Sequence, residues 1–197
     1  MKFPILLSFL FFLSACGSDA PAADGTATTA APENAYGPAL SALEDNRPAA
    51  EVVTLLLAEF PRVTDPETGL PDRTNSENYV AAATAISDRY PNDTVVADPL
   101  YKAAEVARAL DDANRAAGIY RTLYDRYGSY SKAPEALFML GFTYDENLKD
   151  FDKARVVYDE FLEKHPDHFF AESAEMMIAN LGKTSEELLR DLNVDEQ

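Results

Sequence analysis

The sequence predicts an all-α protein of stacked antiparallel helical hairpins wound into a short right-handed superhelix. Three observations carry that reading. The stretch APEALFMLG at 133–141 returns at 171–179 as AESAEMMIA, with small and apolar residues at matching places. Helix terminators stand at the same interval, Pro91, Gly128 and Pro166, which sets a period of 37 and then 38 residues. Apolar residues recur at helical spacing through the body of the chain, and no alternating strand pattern competes with them.

The N-terminus comes first in chain order. Met1 and Lys2 precede an apolar run over 3–13, too short for a permanent membrane span, and the run ends in Leu13-Ser14-Ala15-Cys16. This is the layout of an export signal, so residues 1–15 are set apart from the fold. Cys16 is the single cysteine in the chain. No disulfide can form within the chain, and a bare thiol would be a liability in an oxidising compartment. Residues from Gly17 to about Tyr36 are Ala, Thr, Pro, Gly and Asp without aliphatic periodicity, and we assign 16–37 to a flexible tether.

The next segment, 38–75, is expected to hold one apolar helix and a loop. Val52, Val53, Leu55, Leu56, Leu57 and Phe60 form the helix, bounded by Asp45 or Asn46 and by Pro61. The stretch 62–74 has two prolines and a glycine and reads as loop. Thr74 and Glu77 have capping-box spacing and would open the following helix, which Pro91 closes. The repeats occupy 76–193. Gly182 ends the last long helix, Thr184 with Glu187 caps a short one over Leu188, Leu189 and Leu192, and 194–197 is an acidic tail.

Aligned on Ala104, Gly141 and Ala179, the units place Leu100, Leu137 and Glu175 in one row and Tyr101, Phe138 and Met176 in the next. The clearest unit reads Leu137-x2-Leu140-Gly141-x2-Tyr144, then Ala154-x3-Tyr158, then Pro166. Small residues such as Gly141 and Ala154 let two helices approach, and Tyr144 and Tyr158 fill the space beside the crossing. This pattern resembles the tetratricopeptide repeat, with leucine where tryptophan is common. The preceding unit keeps Leu100, Ala104, Ala107, Ala116, Tyr120, Leu123 and Gly128. Before it only a second helix is visible, with Tyr79, Ala83 and Ile86. Departures are Tyr79 in an alanine position, bulky Ile86, Leu123 and Phe161 where alanine is preferred, long links between hairpins, and one extra residue in the turn of DENLKDFDKA. In these features the chain is similar to the divergent repeats of BamD-type outer-membrane assembly lipoproteins and of the C-terminal domain of CpoB (YbgF) proteins.

Leu13-Ser14-Ala15-Cys16 itself resembles the lipobox of bacterial lipoproteins. That resemblance implies lipidation of Cys16 and an N-terminal lipid anchor. With Gly17 rather than aspartate in the following position, it also implies the outer membrane, facing the periplasm. Asp93-Thr94-Val95 resembles the O-glycosylation motif of exported Bacteroidetes proteins.

Composition narrows the partners. The chain has 34 acidic residues against 17 Lys and Arg, a net charge of −17. Such a chain is repelled by phosphate backbones and anionic headgroups, which excludes nucleic acid and favours neutral or cationic partners. The search for chemistry is short. His165 and His168, with Asp167 and Glu172 nearby, flank a proline in a turn rather than sharing a helix face, so no metal is expected there. Asp65, Glu67 and Asp72 mimic a calcium loop, but Gly69 stands at the required acid and Leu70 at the invariant glycine. No phosphate loop, GxSxG or Cys-His pairing occurs, so neither catalysis nor a cofactor is expected.

The resemblance implies that Tyr101, Phe138 and Met176 face a concave groove, followed one turn on by Glu105 and Phe142 and then by Arg108 and Asp145. The competing reading is that this row packs between adjacent hairpins. Tyr120, Tyr124, Tyr127 and Tyr130 are expected to serve packing and links. The resemblance implies a non-catalytic, lipid-anchored adaptor for proteins or peptides of the cell envelope, in outer-membrane protein assembly or envelope maintenance. The alternative is a lipoprotein that captures a glycan or small ligand on its tyrosine-rich surface and the 62–74 loop.

Overall fold

A computed structural model describes residues 34–184, 186–187 and 189–190. The expected signal peptide, Cys16 and most of the tether lie outside the described residues, as do Leu188, Leu192 and the acidic tail. Among the described residues all regular elements are helical, and the one β feature is an isolated antiparallel bridge between Thr64 and Pro71. The long helices are α1 (Gly37–Glu44), α2 (Ala49–Ala58), α3 (Arg73–Arg89), α4 (Ala97–Ala109), α5 (Ala113–Arg126), α6 (Ala133–Phe142), α7 (Phe151–Lys164) and α8 (Ala171–Asn180). Each packs chiefly on its sequence neighbours, as stacked hairpins must.

The hairpins share one turn. Asn46, Asp111 and Lys149 are the non-glycine residues with left-handed backbone, at φ 55°, 62° and 52°, and each stands between the two helices of a pair. The amide of Arg47 donates to the Ala42 carbonyl at 3.0 Å and that of Asp112 to the Ala107 carbonyl at 2.9 Å, closing the helix end as a Schellman motif does. In the third pair the amide of Asp150 reaches one residue further back, to the Tyr144 carbonyl at 2.8 Å. The surplus residue expected in this turn is accommodated inside the helix, where Thr143–Asn147 widen into a π turn. Asn46 therefore marks a first hairpin, α1 with α2, where the sequence predicted a single helix.

Helices α3, α5 and α7, which correspond by the repeat alignment as second helices, open alike. Asp72, Asp112 and Asp150 accept the amides of Asn75, Arg115 and Lys153 at 2.9, 3.2 and 3.1 Å. The cap of α3 is thus Asp72 rather than Thr74, because the Asp72 amide is itself held by the Val63 carbonyl at 2.8 Å and starts the helix two residues earlier. Second helices also end alike: the amides of Tyr90, Tyr127 and His165 donate to the carbonyls of Ile86, Leu123 and Phe161. The capping box of Thr184 and Glu187 forms, with the Thr184 amide 2.8 Å from the Glu187 carboxylate.

Close approach explains the small residues. A Cβ on Gly141 would lie 2.7 Å from the Tyr158 ring, so only glycine admits that ring at the crossing of α6 and α7. Ala116 and Ala154 are fully buried at the matching positions, with Tyr120 and Tyr158 one turn later. In α3 the two roles are exchanged: Tyr79 holds the small residue's place and Ala83 the aromatic's. The Tyr79 ring fits edge-on against Tyr36 and Phe60, at 5.5 and 4.9 Å between centroids, and its hydroxyl donates to the Pro99 carbonyl. Tyr36 is consequently buried, and the fold begins within the stretch expected to be tether.

Candidate functional site

First helices α4, α6 and α8 carry the row singled out in the sequence, and the structure divides it. Tyr101 and Phe138 are buried, at 2 % and 6 % exposure. Tyr101 donates its hydroxyl to Glu135 at 2.6 Å, packs edge-on against Tyr120, and lies beneath the Lys132 ammonium at 4.7 Å. Phe138 stacks on Phe170 with 4.5 Å between centroids and 7° between planes. The next hairpin closes over each ring, so inter-hairpin packing accounts for both. Their places in the groove are covered because the long links bring Tyr130, Lys132 and Phe170 back over α4 and α6.

The remaining row is accessible to different degrees. Glu105 and Met176 are exposed, and Arg108 and Phe142 are half-buried. Arg108 and Phe142 are brought together, the guanidinium 5.9 Å from the ring centroid, in cation–π range. The Arg108 Nε and the Tyr120 hydroxyl are buried without a hydrogen-bond partner among the described residues. Burial pushes the Tyr120 phenol up to about 12, reinforced by Glu105 and opposed by Arg108. Burial likewise raises Tyr101, with the bond to Glu135 adding to it.

Asp145 is 6 % exposed and sits in the π turn. Burial raises its carboxyl above the ordinary carboxylate range, Glu146 adds to the rise, and Lys149 opposes it. It borders a hollow of about 380 Å³ between the π turn and α8, walled by Phe151, Met176 and Met177. A second cleft, of about 300 Å³, separates Phe60, Val63 and Pro71 from Lys102, Glu105 and Val106 of α4.

Sequence reasoning missed the carboxylates that tie α4 to α6 and to the link before α6. Glu135 receives Tyr101, and Asp98 receives the Tyr130 hydroxyl at 3.1 Å. The signal was present, since Asp98 and Glu135 are one period apart at the start of successive first helices.

The histidines and loop acids have local partners. His165 Nε2 bonds the Tyr124 hydroxyl at 3.1 Å, and His168 Nδ1 accepts the Phe170 amide at 3.2 Å. Asp65 accepts the amides of Glu67 and Thr68, both at 2.8 Å, and these bonds lower its carboxyl. Among the described residues no group of three acidic, histidine or cysteine side chains could hold a metal, and no helix is long and apolar enough to cross a membrane.

Residues 135–168, covering most of α6, the π turn and α7, match the tetratricopeptide repeat family. No curated protein and no solved structure matches the chain. The turn, cap and link of the matched hairpin recur on α4 and α5, and with them the chain is an all-helical protein of tetratricopeptide-like repeats.

Proposed function

We propose that this protein is a non-catalytic adaptor that holds a protein or peptide along the face formed by α4, α6 and α8. The observation that carries the reading is the accessible run Glu105, Arg108, Phe142 and Met176, which crosses successive hairpins on one face and adjoins both the cleft and the hollow. Such a surface offers a few apolar and cation–π contacts set among charges, the combination from which most binding energy is drawn. The net charge of −17 favours a neutral or cationic partner.

We further propose that Cys16 is lipidated, that residues 17–33 link the anchor to the fold, and that the protein works at the outer membrane facing the periplasm. Support for this part comes from residues 1–17 alone. Outer-membrane protein assembly and envelope maintenance are the processes the repeat pattern favours.

The test is photocrosslinking in cells from Glu105 and from Met176, each replaced by a photoreactive residue, followed by mass spectrometry. Recovery of one specific protein from both positions supports the adaptor. Recovery of none from either, together with thermal stabilisation by peptidoglycan fragments, would establish the capture lipoprotein instead. Cys16→Ser tests the anchor, and release of the protein from the membrane fraction is the expected result.

A further inference from the structure

One junction between first helices is bridged by a ring, and the next is not. At the first, Phe142 of α6 reaches back to α4, with its ring centroid 5.9 Å from the Arg108 guanidinium. The repeat carries these two positions on to Asp145 and Asn180, 37 and 38 residues later. Both line the hollow of about 380 Å³ between the π turn and α8. Where α6 supplies a ring, α8 supplies only the short amide of Asn180, and space remains.

The walls of the hollow suit an apolar guest. Phe151 and Met176 are large apolar side chains left open to solvent, at 37 % and 57 % exposure, and both line it beside Met177. Met176 succeeds Tyr101 and Phe138 in the repeat, and those two are buried beneath Lys132 and Phe170 of the following links. Exposed apolar side chains gathered around one concavity mark a place for docking. Thioethers mould to irregular shapes and make favourable contacts with aromatic rings, so two methionines and a phenylalanine suit a ring.

Charge at the rim favours a neutral guest. Asp145 and Glu146 are matched by Lys149 and Lys183, and Glu146 already pairs with Lys149 at 3.1 Å. A charged side chain entering here would meet a like charge for each unlike one and would give up its hydration without net gain. An uncharged ring bears no such cost.

We propose that the hollow between the π turn and α8 is the seat of one phenylalanine or tyrosine side chain of the protein partner, held as Phe142 is held at the preceding junction. The proposal rests on the adaptor reading and adds to it the chemistry of one anchor residue.

The test uses the full chain, labelled at its methionine methyl groups and observed by NMR. Nα-acetyl-phenylalanine methylamide is titrated in, with the corresponding lysine, aspartate and norleucine compounds as controls. The phenylalanine probe is expected to move the Met176 and Met177 signals upfield, as methyls over a ring face do, to leave Met139 in place, and to bind more tightly than any control. Asn180→Phe supplies the ring from within and gives up only a 3.4 Å bond to Lys183. It is expected to raise Tm and to abolish the effect of the probe. Absence of a shift, equal or tighter binding of a control, or an Asn180→Phe protein that melts lower or still takes the probe would overturn the pocket. So would Met176 and Met177 signals that change on dilution, the mark of a second copy in the hollow, or on Leu192→Ser, the mark of the chain's own C-terminal residues there. Crosslinking from Glu105 separates the two levels. A partner captured equally by the parent and by Asn180→Phe removes the pocket and leaves the adaptor, whereas probe binding with no partner captured removes the adaptor and leaves a hollow that takes a ring.

Discussion

Individual side chains set the closest tolerances. Gly141→Ala adds one methyl group where the Tyr158 ring already stands, and Tyr158 is fully buried with nowhere to retreat. Alanine's better helix propensity, about 1 kcal/mol, opposes an overpacking cost of about 1–3 kcal/mol. The net expectation is a loss of up to about 2 kcal/mol on urea denaturation, and most of it is expected to disappear when Tyr158 is replaced by leucine in the same chain. Asp145 makes a prediction in pH. Burial raises its folded pKa above the ordinary 3.8, so the unfolded chain ionises first and the native state bears a cost once the pH exceeds that value. Asp145→Asn is therefore expected to stabilise the protein at neutral pH, with the advantage vanishing below the unfolded pKa, as thermal melts across that range would show. Gly141 was legible in the sequence because a glycine inside a helical pattern needs a packing reason. The isolation of Asp145 was not, since composition cannot reveal whether an acid in a groove has found a partner.

Helices and turns follow rules that the sequence states unevenly. The second and third hairpins were readable from Ala116-x3-Tyr120 and Ala154-x3-Tyr158, where a small residue and an aromatic keep a fixed order. The first, α1 with α2, was hidden because its turn is announced only by Asn46, and α3 was only partly readable because it reverses that order, placing Tyr79 before Ala83. Tyr36 was hidden for a similar reason, as one aromatic among alanines and prolines carries no periodicity. The π turn was seen as a surplus residue, but its location depended on where the backbone could widen without breaking the core. Two outcomes belong here. Asp112→Ala removes the acceptor of the Arg115 amide and is expected to cost about 1 kcal/mol, measured by chemical denaturation. Lys149→Gly relieves a left-handed lysine at φ 52° and is expected to stabilise by up to about 1 kcal/mol in the same assay.

Across the molecule, ion pairs also link successive repeats along α3, α5 and α7. Arg126 pairs with Asp88 at 3.2 Å and Arg121 with Glu160 at 2.8 Å. Chains built this way behave as a row of units coupled to neighbours. Amide exchange is expected to be slowest in α5 and α6, which have a hairpin on both sides, and fastest in α1 and α8, of which α8 fully buries only Ala174. Uniform protection from α1 to α8 would contradict that picture. Between second helices two seats correspond by the repeat. Ser87 meets the Tyr127 hydroxyl at 2.9 Å in one, and Tyr124 meets His165 in the other. A hydroxyl couple is blind to mild acid, whereas an imidazole is not. Desolvation first, then His168 and Lys164, hold His165 below its ordinary 6.5 against the pull of Glu160, so the unfolded chain takes up the proton more readily and acidification through that value weakens the fold. Mild acidity should thus loosen the joint nearest the α8 end while its counterpart stays shut, making one repeat junction a local barometer of the surrounding pH.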